Sequence, residues 1–223
     1  AMLQACRRQN PAFLTDAPGQ MVHTRTDFPR AWGLGTSSTL IAALARWAEV
    51  DPFTLLFDSF GGSGYDVACA FAQKPLLYRL QDRIPTVQPV DFAPPFAACL
   101  YFVFLGKKQN SRAGIQRYRK LALQNSSLVE AVSALTRQCL EAQTVEAFSA
   151  VLLEHEKLIG KTLDLPRAQD LYFSDFPGVV KSLGAWGGDF VLAACPESPE
   201  FVRDYFLVKG FEVCICYSDM VVR

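Results

Sequence analysis

Apolar side chains return at helical spacing after residue 36. Leu40, Leu44 and Trp47 form a stripe that Ile41, Ala45 and Ala48 widen, and the pattern predicts a largely buried helix. Asp51-Pro52 sets an N-cap before a proline at the first helical position, and predicts a second, shorter helix through Phe53, Leu55, Leu56 and Phe57. Gly61, Gly62 and Gly64 break that helix, and 65–71 resumes as another. Upstream, the segment to Leu14 reads as a short helix ended by Pro11, and 20–28 alternates polar and apolar as a half-buried strand does. The runs 76–80 and 86–90 read as strands punctuated by Pro75, Pro85 and Pro89.

Phe92-Ala93-Pro94-Pro95 is the best linker in the chain, and it divides an expected domain 1–95 from a second, 96–223. The second opens on a strand, 99–105, followed by the basic, hydroxyl-bearing stretch Gly106-Lys107-Lys108-Gln109-Asn110-Ser111-Arg112. Helical periodicity then runs over 113–160, broken near Asn125-Ser126 and Thr144, and Asp164-Leu165-Pro166 interrupts it before a short helix. Pro177-Gly178 leads into a glycine-rich run, 189–194 reads as a buried strand, and Ser198-Pro199-Glu200 caps a helix that Gly210 stops. The last strands are expected at 211–217 and 220–222. The fold class is therefore α+β.

Of 223 residues half are apolar, enough for a substantial core. Lys plus Arg equals Asp plus Glu at 22 each, a balance that argues against nucleic acid or an anionic membrane as the main partner. No apolar run reaches membrane-spanning length and no signal-peptide core is present, so a cytoplasmic protein is expected; Ala1 before Met2 reads as an expression scar. Seven scattered cysteines, without a Cys-x-x-Cys pair, read as reduced thiols, and Cys214-Ile215-Cys216 as buried strand thiols rather than a metal site. His23 and His155 have no second ligand near them in sequence and read as structural or exposed.

The chemistry concentrates in Trp32-Gly33-Leu34-Gly35-Thr36-Ser37-Ser38-Thr39. Two glycines permit a tight turn and bare N–H groups, and the helix behind them offers unpaired first-turn donors and its positive dipole end. A hydroxyl there can bond a phosphate oxygen or ligate magnesium. The same residues also describe a plain glycine turn with a Ser/Thr helix cap. Neither common phosphate loop fits: no Lys follows the second glycine, and a third dinucleotide-type glycine is missing.

Preceded by Pro29, the run Gly33-Leu34-Gly35-Thr36-Ser37-Ser38 resembles the nucleotide-phosphate loop of the GHMP kinases, the superfamily of galactokinase, homoserine kinase, mevalonate kinase and phosphomevalonate kinase. Two further stretches follow in the superfamily's order. Gly61-Gly62-Ser63-Gly64-Tyr65-Asp66-Val67-Ala68 is similar to the segment with the catalytic Asp, and Gly184-Ala185-Trp186-Gly187-Gly188-Asp189 to the glycine-rich third motif, with Trp186 where Gly is usual. Both lean toward phosphomevalonate kinase.

The resemblance implies a two-domain architecture, a truncated N-terminal part of the ribosomal protein S5 domain 2-like type and a ferredoxin-like C-terminal domain. It implies ATP and Mg2+ as cofactors, a small metabolite such as mevalonate or phosphomevalonate as acceptor, and Asp66 as the catalytic carboxylate. Gly33, Leu34, Gly35, Thr36, Ser37 and Ser38 would hold the nucleotide, and Ser37 the magnesium. Ser63, Gly64, Lys107, Arg112, Gly184, Gly187 and Gly188 would line the acceptor site, with Lys108 and Lys181 as further basic candidates. The superfamily's upstream strands have no counterpart, so a fragment of a longer protein is expected, with low activity and a strand edge open to a homodimer. Mevalonate-type kinases also supply a second acidic magnesium ligand, for which only Asp58 is near.

Two other readings stay open. A GHMP-fold protein that binds a nucleotide or metabolite without transferring phosphate accounts for the same loops. A serine hydrolase would use Ser63 with His155, but Tyr65 occupies the place of the second glycine of a nucleophile elbow.

Overall fold

Ala5 and Cys6 of helix α1 (Met2–Gln9) are buried in one apolar cluster with Ile41, Leu44, Ala45 and Ala48 of α2 (Thr36–Ala48), and Leu55 and Leu56 of α3 (Pro52–Ser59). Val67 of α4 (Tyr65–Phe71) closes that cluster. Each buried Ile, Leu or Val among them contributes about 1.5–3 kcal/mol by leaving water. This cluster belongs to the first of two units, Ala1–Asp91 and Phe92–Arg223. The computed structural model describes residues 1–15, 19–106, 111–122, 126–184 and 189–221.

Local chemistry sets the ends of these helices. The Asp51 carboxylate accepts from the Thr54 N–H at 2.6 Å and Pro52 stands at the helix start, as the sequence predicts for α3. Helix α1 stops at Gln9, two residues before Pro11; the Asn10 amide donates to Ala48 O at 2.8 Å and ties its end to that of α2. Trp47, expected on the buried face, is 39% exposed and meets Phe13 edge-on at 4.9 Å.

Strands β1 (Leu76–Gln81) and β2 (Ile84–Pro89) form an antiparallel hairpin. Asp82 and Arg83 both have positive φ, +50° and +63°, the backbone of a two-residue turn whose twist suits a hairpin. Its tip is fastened to α3: Arg83 lies 3.2 Å from Asp58 and over the Phe57 ring. The strand expected over 20–28 does not form. No described strand pairs with it, and alternation alone cannot make a ladder.

The second unit runs β3 (Leu100–Phe104), α5 (Ser111–Ala122), α6 (Ser126–Glu141), α7 (Val145–Leu163), α8 (Ala168–Tyr172), β4 (Val179–Ser182), β5 (Phe190–Ala194), α9 (Pro199–Val208), β6 (Cys214–Cys216) and α10 (Tyr217–Met220). Its strands form one antiparallel sheet in the order β4-β5-β3-β6. Alternation along β3 and β5 feeds two cores. Tyr101, Val103, Val191 and Ala193 pack with Phe173, Phe176, Val202 and Phe206, while Leu100, Leu192 and Ala194 pack with Val145, Phe148 and Leu152 of α7. Strand β5 is buried along its whole length, which is why its sequence is continuously apolar.

Three expectations need correction here. Strand β4 was not expected; it is four residues long, and its entry depends on Gly178, where a Cβ would stand 2.2 Å from Ala194 O. The strand over 211–217 shortens to Cys214–Cys216. Of the strand expected at 220–222, Met220 instead ends α10 and Val222 lies outside the described residues; Tyr217 of α10 stacks on Phe102 at 6.1 Å.

Helix α7 is held at both ends. The Thr144 hydroxyl accepts from the Ala147 N–H, and the Arg117 guanidinium donates to Leu163 O and Asp164 O, two carbonyls that the helix leaves without partners. Along its length, Glu156 is 1% exposed with its Oε1 3.6 Å from Lys181 Nζ. Burial holds the Glu156 carboxyl above its ordinary range, while the Lys181 charge pulls it back. Beside them burial lowers the His155 imidazole to about 4, so it is neutral at physiological pH and unsuited to an ionic role.

Candidate functional site

The loop singled out in the sequence forms an open helix start. Residues Arg30–Trp32 make one 3-10 turn, and Gly33 and Gly35 follow with φ of +69° and +71°. Around Gly35 a Cβ would meet nothing within 4 Å, so its requirement is the left-handed backbone rather than space. The Gly35 N–H donates to Gly33 O at 2.9 Å, which folds the loop back before α2 begins.

Gly35 is the N-cap of α2 and no side chain caps the helix there. The Thr39 N–H and hydroxyl both return to Gly35 O, at 2.9 and 3.1 Å. The N–H groups of Thr36, Ser37 and Ser38 make no hydrogen bond among the described residues. A helix of 13 residues thus presents three bare donors and its dipole beside exposed Ser37 and half-buried Ser38 and Leu34. The plain capped-helix reading requires a hydroxyl to turn back onto the backbone N–H groups, and that bond is absent among the described residues.

The second glycine run forms another helix start. Gly61, Gly62 and Gly64 all have positive φ, and Gly64 is the N-cap of α4. Here the requirement for glycine is both conformational and steric. A Cβ on Gly64 would sit 2.8 Å from the Tyr78 hydroxyl and close to Phe53 and Leu56. The same hydroxyl donates to Ser63 O at 2.6 Å and clamps the turn to β1.

Asp66 lies in the first turn of α4, where the dipole favours a carboxylate. Its side chain meets solvent, yet neighbouring atoms strip enough water to hold the carboxyl above its ordinary range; the neighbouring Tyr65 phenol pulls the other way. Desolvation first, then the Asp66 charge, pushes Tyr65 up to about 12, so it stays a donor at neutral pH. Helices α2 and α4 pack together, and Arg46 lies over the Phe71 ring at 4.7 Å. The loop at Gly33–Gly35 and Asp66 are therefore carried by adjoining helices of one unit.

Other expected residues are placed less closely. Gly184 follows β4 with φ of +61° and is exposed. Lys107, Gly187 and Gly188 lie outside the described residues, and of Arg112 only the backbone, in α5, is described. Lys181 faces Glu156 and donates to Ser182 O at 3.0 Å. Asp58 is engaged by Arg83. Sequence reasoning missed Tyr65 and Tyr78 as partners of the site. The first was legible as an aromatic beside the carboxylate; the second reaches its turn from a strand 15 residues away.

No family model matches the sequence, and no curated protein does. Among solved structures, L. major mevalonate kinase in complex with R-mevalonate is similar in fold, with a TM-score of 0.53 and 16% identity over 78% of this chain. The chain spans 60% of the length of that kinase. The likeness is one of fold, an arrangement of mixed helices and antiparallel sheets.

Proposed function

We infer that the chain belongs to an ATP-dependent small-molecule kinase of GHMP type, which transfers the γ-phosphate to a hydroxyl or phosphate of a small metabolite, with mevalonate or phosphomevalonate as the acceptor. The observation that carries this reading is the uncapped start of α2, with three bare N–H groups behind two left-handed glycines. The order β-α-β-β-α-β in the second unit, with the sheet order β4-β5-β3-β6, supports the ferredoxin-like domain that such kinases carry.

Phosphoryl transfer asks a protein chiefly to position two reactants and to neutralise charge. The N–H groups of Thr36, Ser37 and Ser38 suit phosphate oxygens. No group of three His, Cys, Asp or Glu side chains gathers as a metal site among the described residues. Magnesium carried with a nucleotide needs only one or two protein ligands beside phosphate and water, and the exposed Ser37 hydroxyl supplies one. When bound, magnesium would offset charge on the phosphates. Asp66 orients the acceptor hydroxyl and takes its proton, and a carboxyl held above the ordinary range is a better base at neutral pH.

One observation favours a second reading, a GHMP-fold protein that binds without transferring phosphate: Asp58 is committed to Arg83 rather than open to a metal. An ADP-release assay across mevalonate, phosphomevalonate, homoserine and simple sugars separates the two. The kinase reading expects acceptor-dependent ADP release with one of them. Saturable Mg-ATP binding with no acceptor-dependent release would favour the binding protein.

A further inference from the structure

Two backbone surfaces of the first unit lack hydrogen-bond partners among the described residues, and each is of the kind that satisfies the other. The first is the outer edge of β1. The Val90 N–H donates to Pro75 O at 2.9 Å, so along the register the hydrogen-bonded pairs are Leu77↔Gln88, Arg79↔Thr86 and Gln81↔Ile84. The N–H and C=O groups of Leu76, Tyr78 and Leu80 therefore point away from β2, and no described residue bonds to them. The outer edge of β2 differs, because its outward positions are Pro85, Val87 and Pro89, and the two prolines have no N–H to give. Strand β1 has no proline and a single charge, Arg79, so it lacks the devices that blunt an edge.

The second surface is the segment 20–27. Its alternation is that of a strand, yet it is exposed throughout, Met21 by 83% and Val22 by 56%, and none of its backbone groups is hydrogen-bonded among the described residues. Within one chain this strand-former and the open edge are not paired.

We propose that the chain forms a two-fold dimer in which 20–27 of each copy adds as a third strand to the β1 edge of the other. A second copy is the fitting partner because donor segment and acceptor edge lie in the same chain, so that a two-fold axis pairs them reciprocally. The exchange also turns a two-stranded hairpin, marginal by itself, into a three-stranded sheet. Since 20–27 leads through Pro29 into the loop at Gly33–Gly35, dimerisation would fix the entry to that loop. The proposal does not rest on what the loop binds.

Sedimentation velocity of the full chain across the micromolar range tests it. The expected result is a monomer–dimer equilibrium, with slowed amide exchange at Leu76, Tyr78, Leu80 and 20–27 in the dimer. Leu80→Pro removes an outward donor without touching a β1–β2 bond, and Met21→Pro with Val22→Pro disables the added strand in either parity. Each variant should weaken dimerisation by about tenfold or more. Mixing the two variants should restore a heterodimer through the one intact pairing. If Leu80→Pro loses its circular dichroism, Leu80→Lys at the same exposed edge takes its place. A wild-type chain that stays monomeric, or a dimer that survives the double proline variant, would overturn the proposal.

Discussion

Asp66→Asn is expected to slow phosphoryl transfer by about 10²–10⁴-fold, the usual loss when a positioned proton acceptor is removed. The shape of the side chain is kept. What disappears is the charge proposed to orient the acceptor hydroxyl. Nucleotide affinity should stay near that of the wild type, because the N–H groups proposed to hold the phosphates are on α2 rather than α4. Stability should fall by only the charge–dipole contribution at the start of α4, about 0.3–1 kcal/mol. Turnover and affinity measured on the same preparation separate the outcomes. An Asn variant with undiminished turnover would remove Asp66 from the chemistry and leave it a helix-start residue.

The second large effect is on stability. Lys181→Met leaves Glu156, 1% exposed, without its counter-charge, and should cost about 3–5 kcal/mol in urea unfolding. Neither carboxylate oxygen of Glu156 has a hydrogen-bond partner among the described residues, so the pair is poorly compensated even when intact. For that reason Glu156→Leu combined with Lys181→Met should recover most of the loss, since a packed apolar pair avoids desolvating two charges. A double variant as unstable as the single one would show that the pair stabilises α7 against β4 through its charges. A single variant without effect would mean that Glu156 is already protonated and needs no partner.

Where the sequence reading succeeded, the signal was local. Asp51-Pro52 and Ser198-Pro199 each start a helix by a hydrogen bond three residues long, and the structure has both; the break read at Thr144 is the start of α7. The apolar run of β5 is legible because both its faces are buried. The failures are non-local. Residues 20–28 have the alternation of a strand but no described ladder partner, and β4 is too short to show alternation yet pairs with β5 throughout. In the candidate site the glycines and hydroxyls of 33–38 could be read directly, because left-handed turns and helix starts restrict residue type. The clamp of Tyr78 on Ser63, and the seat of Lys181 against Glu156 rather than in open solvent, depend on packing between distant segments.

The central claim is that the start of α2 holds the phosphates of a nucleotide. Titration of the 15N-labelled chain with Mg-ATP, followed by amide chemical shifts, tests it most directly. Saturable shifts should be largest at the N–H groups of Thr36, Ser37 and Ser38 and at Gly33 and Gly35, and Ser37→Ala should weaken binding without a comparable loss of melting temperature. Amides of 33–38 that remain unmoved at saturating Mg-ATP, or a Ser37→Ala variant that loses stability with unaltered affinity, would contradict it and leave an ordinary helix start.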